Sequence, residues 1–459
     1  MTPTILRRLA DVVGAAHVIT DDDTLAGYLA DWTGRWTGVA DAVVRPRTTE
    51  EVAAVITLCA ADGVSVCVQG GNTGLVGGSV PPAAGDSPTL VTIVLSTARM
   101  TDLGDVDATG RCVGAQAGAT VAAIDRHAAS HGLRFGIDLA ARESATAGGV
   151  VATNAGGIRM IRHGNTRGQV LGIEAVLADG CILRRWSPLI KDNVGYDLPG
   201  LLAGSEGTLA VITEVLFALV TPPAATTVAV LAIDRVAATT ELIAAASRRG
   251  LIVEAAEIMT AAGIDLVHEY GARRPVAEPA PFTFLIEVSG SGTVDEELFA
   301  AIEGIDGVRG AVAEPGPATA LWAARETHTE SIARSTTTPV VKLDVSVPIR
   351  ALPEAFDRFT VVPADLGVQG RPILFGHVGD GNIHVNYLDV PCADEHRVTE
   401  AVFAVVADLG GSISAEHGIG RAKAAWIGLG RTDVDIVAMR TVKTALDPQN
   451  LLNPGVLFG

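Results

Sequence analysis

A glycine-rich segment that directly follows a short apolar strand places the strongest constraint on the fold of this chain. Residues 64–68 are predicted to form a buried strand, and residues 69–79 (QGGNTGLVGGS) contain five glycines. Because glycine has no side chain, successive backbone N–H groups of such a loop can approach a pyrophosphate closely. The spacing fits neither the Gly-Lys-Ser/Thr loop nor the G-x-G-x-x-G fingerprint of nucleotide-binding proteins. The segment therefore predicts either a phosphate-bearing cofactor other than conventionally bound NAD or a tight surface turn.

Two further segments repeat this pattern of small residues. Residues 144–157 read SATAGGVVATNAGG, and residues 204–208 read GSEGT just before an apolar, β-branched run. A ligand that is lined by backbone at several points requires loops of this kind, and a flavin dinucleotide is such a ligand. Three such loops in the N-terminal half favour one extended cofactor over three unrelated turns.

The histidines of residues 373–388 (ILFGHVGDGNIHVNYL) indicate a second candidate site. Asp-Gly between two apolar runs predicts a β-hairpin with a two-residue turn at 380–381. Counting outward from that turn places His377 opposite His384, with Cβ atoms roughly 5 Å apart. Asn386 then lies on the same face of the hairpin.

Two imidazoles at this separation can bind one divalent cation, and Glu416 with His417 offers a further ligand. Zinc or manganese with open coordination positions would accept the hydroxyl and the carboxylate of a substrate. A hydrogen-bonded histidine pair without a metal is the alternative that these residues leave open.

A few basic residues stand out in an otherwise acidic chain. Lys342 interrupts the apolar run 340–347, whose alternation places Lys342 and Asp344 on one face. Arg325 and Thr329 are four residues apart in a predicted helix over 321–335 and also share a face. An arginine fork and a lysine together can hold a dicarboxylate, although a surface Arg–Glu pair and an extended lysine would explain the same residues.

The overall charge restricts the classes of partner. Lysine and arginine number 34 against 52 aspartates and glutamates, a net charge of -18, which argues against nucleic acids and anionic membranes as partners.

The five cysteines are scattered and contain no C-x-x-C pair, as is typical of a reduced intracellular protein. Neither a signal peptide nor a transmembrane segment is predicted. We therefore expect a cytoplasmic protein.

Several sequence blocks, taken in order, carry a family resemblance. They are QGGNTGLVGGSVP, LSTARM, ATNAGGIRMIRHG, KDNVGYDL, GSEGTLAVITEV, GHVGDGNIHVN, SAEHGIG and LLNPG. With these blocks the chain resembles the FAD-linked 2-hydroxyacid dehydrogenases of the vanillyl-alcohol-oxidase type from about residue 40 to its end. The resemblance implies an α+β protein with an FAD-binding domain of two subdomains over residues 1–222. It further implies a substrate domain with an antiparallel sheet and flanking helices over 223–412, and a segment 413–459 that returns to the flavin.

The resemblance also assigns roles to individual residues. The implied FAD contacts are Gln69, Gly70, Gly71, Asn72, Thr73, Gly74, Gly77, Gly78, Ser79, Ser144, Gly148, Gly149, Asn154, Glu206, Ile212 and Asn453. The implied metal ligands are His377, His384 and Glu416, and His417 is the implied catalytic base. The implied substrate-binding residues are Arg325, Thr329, Lys342 and Asn386. Because Asn72 and Thr73 stand where covalently flavinylated relatives often carry a histidine, we expect noncovalent FAD.

The implied reaction is oxidation of a D-2-hydroxy acid by hydride transfer to flavin N5, with a divalent metal, zinc ahead of manganese. Lys342 favours D-2-hydroxyglutarate, which would yield 2-oxoglutarate, over D-lactate or glycolate, because only the former has a distal carboxylate. A metal-dependent hydrolase or lyase and a non-catalytic FAD-binding protein are the rival interpretations. By the same resemblance the electron acceptor is an electron-transfer flavoprotein or a quinone, and a homodimer is compatible with the sequence.

Overall fold

The computed structural model describes residues 3–86, 91–189, 191–336 and 338–458, which divide into two compact units. The first unit comprises Met1–Gly157, His163–Pro222 and Glu416–Gly459, and the second comprises Ile158–Arg162 and Pro223–Ala415. The short segment Ile158–Arg162 belongs to the second unit, where Arg159 pairs with Glu287 at 2.7 Å and Arg162 with Glu254 at 3.4 Å. The last residues of the chain belong with its first 222.

The strands and helices are numbered in chain order. The strands are β1 (Val18–Ile19), β2 (Ala42–Val44), β3 (Ser65–Gln69), β4 (Thr92–Ser96), β5 (Cys112–Gln116), β6 (Arg134–Phe135), β7 (Val170–Leu177), β8 (Ile182–Arg185), β9 (Ala210–Val220), β10 (Thr226–Ile233), β11 (Ile252–Thr260), β12 (Phe282–Ser289), β13 (Val308–Pro315), β14 (Val341–Ser346), β15 (Arg371–His377) and β16 (Asn382–Leu388). The helices are α1 (Pro3–Val13), α2 (Asp22–Leu29), α3 (Thr49–Asp62), α4 (Val121–Ala129), α5 (Ala147–Thr153), α6 (Met160–His163), α7 (Leu198–Leu202), α8 (Ala237–Arg248), α9 (Ala261–Glu269), α10 (Val294–Ile302), α11 (Thr319–Glu326), α12 (His328–Arg334), α13 (Leu352–Asp365), α14 (Glu395–Asp408), α15 (Ile427–Gly430) and α16 (Asp433–Leu446).

Two sheets form the first unit. The smaller sheet has the order β1-β2-β4-β3, and its central strand β4 runs parallel to both β2 and β3. Helix α3 packs beside it, capped by Thr48 at its start and ended by Gly63 in the left-handed conformation. The larger sheet is antiparallel, with the order β5-β9-β7-β8 and β6 paired to β9. Strand β3 leads straight into the glycine-rich segment, as the apolar run before it predicts.

A seven-stranded antiparallel sheet forms the second unit, with the order β13-β10-β12-β11-β15-β16-β14. Helices α9, α11 and α12 cover the face that carries Phe375. Helix α13 lies on the other face, where the Tyr387 hydroxyl donates to the Phe359 carbonyl at 2.6 Å. The predicted helix over 321–335 is two consecutive helices, α11 and α12, which meet at Thr327.

The hairpin of β15 and β16 differs from the prediction. The turn spans four residues, 378–381, and the register pairs Phe375 rather than His377 with His384. A two-residue type I′ turn requires positive φ at both central positions, but only Gly381 (φ 85°) has it, while Asp380 accepts a hydrogen bond from the Asn382 N–H at 3.1 Å. Because side chains alternate with a period of two, this shift of two residues keeps both histidines on one face.

The C-terminal tail of the first unit is held by a buried lysine. Lys443 Nζ donates to the carbonyls of Thr208 (2.8 Å) and Leu452 (3.0 Å) and pairs with Asp447. The Asp447 carboxylate also accepts from the backbone of Leu451 (3.0 Å) and Leu452 (2.8 Å). Leu452 in turn pairs in parallel with Val66 of β3. The tail therefore lies beside the strand that leads into the glycine-rich segment.

Within the described ranges, no helix is both long enough and apolar enough to cross a membrane.

Replacing Lys443 with Met is expected to lower the free energy of unfolding by about 3–5 kcal/mol, because it leaves the Asp447 carboxylate buried without its cation. Urea denaturation followed by circular dichroism measures this loss. Lys191→Met removes an exposed lysine from the same unit and is expected to change stability by less than about 0.5 kcal/mol. Equal stability of the two variants would contradict the role assigned to Lys443.

Candidate functional site

The side chains of the first glycine-rich segment shape the segment itself. Gln69 Nε2 donates to the carbonyls of Tyr28 and Ser79, both at 2.9 Å. Asn72, in the left-handed conformation, donates to the Ala30 carbonyl at 2.8 Å and accepts from the Ser79 hydroxyl at 2.8 Å. These three predicted cofactor residues therefore use their side chains to hold the loop, which leaves its backbone and its glycines to a ligand.

The first and second glycine-rich segments pack directly against each other. A Cβ atom on Gly71 would lie 1.8 Å from the Ser144 carbonyl oxygen, so only glycine fits at this position. Thr146 caps α5, whose first turn contains Gly148 and Gly149, and Asn154 ends it in the left-handed conformation. Two loops that meet backbone to backbone beside a helix N-terminus form the type of surface that binds a pyrophosphate.

Five buried side-chain polar atoms of the first unit have no hydrogen-bond partner among the described residues: Arg45 Nε, Thr97 Oγ1, Gln169 Oε1, Ser205 Oγ and Arg421 Nη2. Thr97, Ser205 and Arg421 lie in or directly after sequence blocks of the family resemblance. Buried polar atoms are normally satisfied, so a polar ligand beside them would supply the missing partners. Together with the glycine-rich loops, these atoms fit an extended, phosphate-bearing cofactor. The sequence interpretation included Ser205 only as part of the third glycine-rich segment and assigned no role to Thr97 or Arg421, which lie in or next to the blocks LSTARM and SAEHGIG.

Glu206 and Asn453 join three separate segments of the first unit. The Glu206 carboxylate accepts from the backbone N–H groups of Ile419 (2.8 Å) and Gly420 (2.7 Å). Asn453 donates to the Glu206 carbonyl at 2.7 Å and accepts from the Val68 N–H at 2.8 Å. Burial raises the pKa of Glu206 to about 7, against the two backbone hydrogen bonds and the charge of Lys423. Both residues thus position the backbone around the proposed cofactor.

The remaining predicted residues of the first unit differ in their surroundings. The Ile212 side chain is buried in the hydrophobic core of the larger sheet. Glu416 is half-buried, and its Oε1 accepts from the Gly157 N–H at 2.7 Å, at the end of the second glycine-rich segment. His417 follows it and is also half-buried. A carboxylate and an imidazole therefore adjoin the loops that would hold the cofactor.

In the second unit, each histidine of the hairpin is backed by a buried carboxylate. The rings of His377 and His384 are 5.3 Å apart between centroids and nearly perpendicular, with ligand atoms within 4.8 Å of each other. His377 Nδ1 pairs with Glu257, and His384 Nδ1 lies 3.5 Å from Asp344. Burial works to raise the pKa of Glu257, but the charges of Arg325 and His377 outweigh it and hold that pKa below its ordinary value.

An ionised Glu257 can only accept a hydrogen bond, so His377 Nδ1 donates to it. In the neutral imidazole, Nε2 then retains its lone pair. Histidines that ligate metals almost always donate their other N–H group to a carboxylate, a carbonyl or water. The two carboxylate-backed imidazoles therefore fit a divalent metal, with zinc as the ion whose preferred ligands they match.

The predicted substrate residues of the second unit surround the same face of the sheet. Arg325 Nε donates to Glu257 at 2.6 Å, and its guanidinium lies over the Phe375 ring at 4.6 Å. Thr329 follows one turn later on α12 and is half-buried. On β14, Lys342 pairs in register with Asn386, next to the pair of Asp344 and His384.

Asn386 is fully buried and leaves its Oδ1 without a hydrogen-bond partner among the described residues. Its Nδ2 donates to the Ile373 carbonyl at 3.3 Å, so the amide is held while the oxygen stays available. An unsatisfied buried acceptor on the strand position that pairs with Lys342 indicates a polar ligand with a donor group.

Sequence reasoning missed Glu257 and Phe375 and assigned no role to Asp344. A weak signal existed for Glu257, since it interrupts the apolar run VEAAEIM of residues 253–259 as Lys342 interrupts its own strand. The partners of Glu257 lie 68 and 120 residues away in the chain, so local pattern could not reveal them.

Curated relatives match almost the whole chain. D-2-hydroxyglutarate dehydrogenase of Xanthomonas citri pv. viticola is 37% identical and covers 100% of this chain and 98% of its own length. The mitochondrial D-2-hydroxyglutarate dehydrogenase of Bos taurus is 37% identical over 95% of this chain and 80% of its own. A putative mitochondrial D-lactate dehydrogenase of Schizosaccharomyces pombe is 33% identical over 95% of this chain and 85% of its own.

Two family models match as well. One, described as "FAD binding domain", matches residues 40–185, and one described as "FAD linked oxidases, C-terminal domain" matches residues 222–457. The chain belongs to the FAD-linked D-2-hydroxyacid dehydrogenases. The family resemblance inferred from the sequence blocks is confirmed, and so is the prediction of an FAD-dependent enzyme.

Solved structures share the fold of this chain. The 4-ethylphenol oxidase of Gulosibacter chungangensis superimposes with a TM-score of 0.75 at 16% identity, over 99% of this chain and 96% of that one. p-Cresol methylhydroxylase gives a TM-score of 0.76 at 14% identity, over 98% and 96%. At these identities the likeness concerns the fold alone, and it confirms the predicted α+β class.

The raised pKa of Glu206 predicts a pH-dependent stability. Between its ordinary value of 4.5 and about 7, the folded state keeps a proton that the unfolded state has lost, so the free energy of unfolding falls as pH rises through this range. At about 1.4 kcal/mol for each pKa unit, the loss amounts to roughly 3 kcal/mol. Glu206→Gln cannot titrate and is expected to remove this part of the pH dependence in urea denaturation between pH 4.5 and 7.5.

A matched control is Glu143→Gln, which removes an exposed carboxylate of the same unit. Its stability is expected to follow the parent protein at every pH. A constant stability difference between Glu206→Gln and the parent protein across this range would show that Glu206 does not titrate there.

Proposed function

We propose that this enzyme oxidises D-2-hydroxyglutarate to 2-oxoglutarate with noncovalent FAD and a divalent metal. The observation that carries the proposal is the presence of two cations, Arg325 and Lys342, around the sheet face that bears two carboxylate-backed histidines. One hydroxy acid with two carboxylates would use both cations. The names of the bacterial and bovine relatives support the same substrate.

D-lactate is the second candidate, favoured by the name of the relative from Schizosaccharomyces pombe. D-lactate has no distal carboxylate, so it would contact only one of the two cations. A dicarboxylate would add a charge-assisted contact to the second cation, and this difference favours D-2-hydroxyglutarate.

For the metal, the proposed ligands are His377, His384 and Glu416. Ala415 donates its N–H to Asp344 Oδ2 at 3.1 Å, and Glu416 is the next residue in the chain. A zinc or manganese ion at these ligands would supply a Lewis acid that lowers the pKa of the C2 hydroxyl. Arg325, Thr329 and Lys342 would orient the substrate through its two carboxylates, which restricts the C2 carbon to one position. Asn386 is proposed to line the same pocket, where its Oδ1 can accept from a donor group.

For the flavin, the proposed binding residues are the three glycine-rich segments with Asn453. Asn72 and Thr73 offer no group for a covalent bond to the flavin, in agreement with noncovalent binding. Bound FAD would supply the hydride acceptor at N5. His417 would take the hydroxyl proton as C2 becomes a carbonyl, a task for which an imidazole is suited near neutral pH.

The identity of the electron acceptor and the cellular location of the enzyme are predictions. An electron-transfer flavoprotein or a quinone is the proposed acceptor of the two electrons, as the family resemblance implies. A cytoplasmic location is the proposed one, while the animal and plant relatives are named mitochondrial.

The substrate assignment is tested with Lys342→Ala under anaerobic conditions. Removing the cation is expected to lower the rate constant for flavin reduction, divided by the half-saturating concentration, about 10- to 150-fold for D-2-hydroxyglutarate, since a charge-assisted contact contributes roughly 1.5–3 kcal/mol. D-lactate should lose less than about threefold. Stopped-flow absorbance of the flavin band measures both, and Lys191→Ala serves as the control lysine.

Equal losses for the two acids would contradict the specificity assigned to Lys342. Flavin reduction by D-lactate alone in the parent protein would keep the enzyme class and overturn the substrate. A flavin band that neither acid reduces would favour a non-catalytic FAD-binding protein, and a colourless folded protein would favour a metal-dependent hydrolase or lyase.

Replacing His417 with Ala is expected to slow flavin reduction by about 10²–10⁴-fold, because the hydroxyl proton loses its acceptor. The variant should still purify with FAD, since the glycine-rich segments and Asn453 remain. Stopped-flow absorbance gives the rate and the ratio of absorbance at the flavin and protein bands gives the FAD content. A rate constant near that of the parent protein would reject His417 as the base.

A further inference from the structure

Glu257 lies at the centre of the second unit and belongs to none of the roles assigned above. It is fully buried on β11, which pairs with the hairpin strand β15 so that Glu257 stands opposite His377. One carboxylate oxygen pairs with His377 Nδ1, and the other accepts from Arg325 Nε at 2.6 Å. A single carboxylate therefore contacts both a proposed metal ligand and a proposed substrate residue.

We propose that Glu257 is a positioning residue that joins the substrate-binding arginine to the metal-binding histidine and sets the affinity of the site for its metal. This inference rests on the function proposed above. One carboxylate oxygen is bound to Arg325 and the other to His377, and the side chain is closed to solvent, so Glu257 is placed to act on substrate and metal through these two side chains.

The effect on His377 follows from hydrogen bonding. A carboxylate that accepts from Nδ1 fixes the tautomer with a free lone pair on Nε2 and fixes the rotation of the ring. It also makes the imidazole a stronger ligand, because partial negative charge is transferred towards the ring. Loss of Glu257 would leave His377 free to carry its proton on either nitrogen and to turn about its side-chain bonds.

The effect on Arg325 follows from geometry. Glu257 binds the Nε edge, and Phe375 lies against the flat side of the guanidinium. The two Nη groups do not take part in the hydrogen bond to Glu257. They form the second edge of the guanidinium, which can bind a carboxylate through two hydrogen bonds. Glu257 and Phe375 thus fix the Arg325 guanidinium, and its Nη edge has one orientation before the substrate binds. Substrate binding therefore costs little side-chain entropy at Arg325.

Glu287 provides an internal comparison. It is also buried, lies on the neighbouring strand β12, and pairs with an arginine, Arg159, at 2.7 Å. Its hydrogen-bonded partner is that arginine and not a histidine of the hairpin. If buried carboxylates served only to neutralise buried arginines, Glu257 and Glu287 would behave alike when replaced by glutamine.

The test measures metal affinity, not turnover. Metal-free, flavin-loaded protein is titrated with Zn²⁺ against a chromophoric chelator for the parent protein and for Glu257→Gln and Glu287→Gln. Removing a hydrogen-bonding partner of a metal ligand typically weakens metal binding 10–100-fold, and we expect about this loss for Glu257→Gln. Glu287→Gln should stay within about twofold, the scatter of uncoupled sites.

A double variant separates the effect on metal binding from the effect of an unpaired buried charge on folding. Glu257→Gln alone leaves the Arg325 charge without its buried partner, whereas Glu257→Gln with Arg325→Gln leaves no unpaired charge at this position. The double variant should show the same 10–100-fold weaker Zn²⁺ binding.

Zn²⁺ affinity within about twofold of the parent protein in the double variant would overturn the inference, and so would equal losses in Glu257→Gln and Glu287→Gln. Failure of the parent protein itself to bind Zn²⁺ or Mn²⁺ would overturn the proposed metal site, and the inference with it.

Discussion

The hydrogen bonds from Ile419 and Gly420 to the Glu206 carboxylate connect parts of the first unit that are more than two hundred residues apart. The same residue, through its carbonyl, accepts from Asn453, which also binds Val68 at the end of β3. Three chain segments are thereby held together. Without a buried carboxylate to satisfy them, the two N–H groups of this turn would each lose the energy of a hydrogen bond in a site closed to water.

Buried carboxylates organise the second unit in a similar way. Glu257, Glu287 and Asp344 each lie on a strand of the seven-stranded sheet and each bind a side chain that faces them. The energetic consequence is that cations and imidazoles can be placed on an interior face without an isolated charge. An acidic chain with a net charge of -18 can in this way present a basic surface to a small anion. The net charge of the chain therefore does not determine the charge of this site.

Local pattern predicted much of this arrangement. The glycine-rich segment after β3, the alternation that puts Lys342 and Asp344 on one face and the common face of His377 and His384 all follow from periodicity and turn chemistry. The register of the hairpin did not, because the turn at 378–381 is stabilised by Asp380 and by the close approach of Gly381 to Val347, a contact that only the folded sheet creates. Glu257 and Arg421 were out of reach for the same reason, since their surroundings come from distant segments.

The position of the last segment in the first unit has a consequence for biosynthesis. The ribosome makes the chain from its N-terminus, so all residues of the second unit emerge before residues 416–458, which complete the first. Glu206 has no contact with Ile419 and Gly420, and β3 none with Leu452, until residues 416–458 have been made. Domains generally fold as units as they emerge. In this protein the second unit can fold while the first, with the loops proposed to hold the flavin, still lacks its last segment.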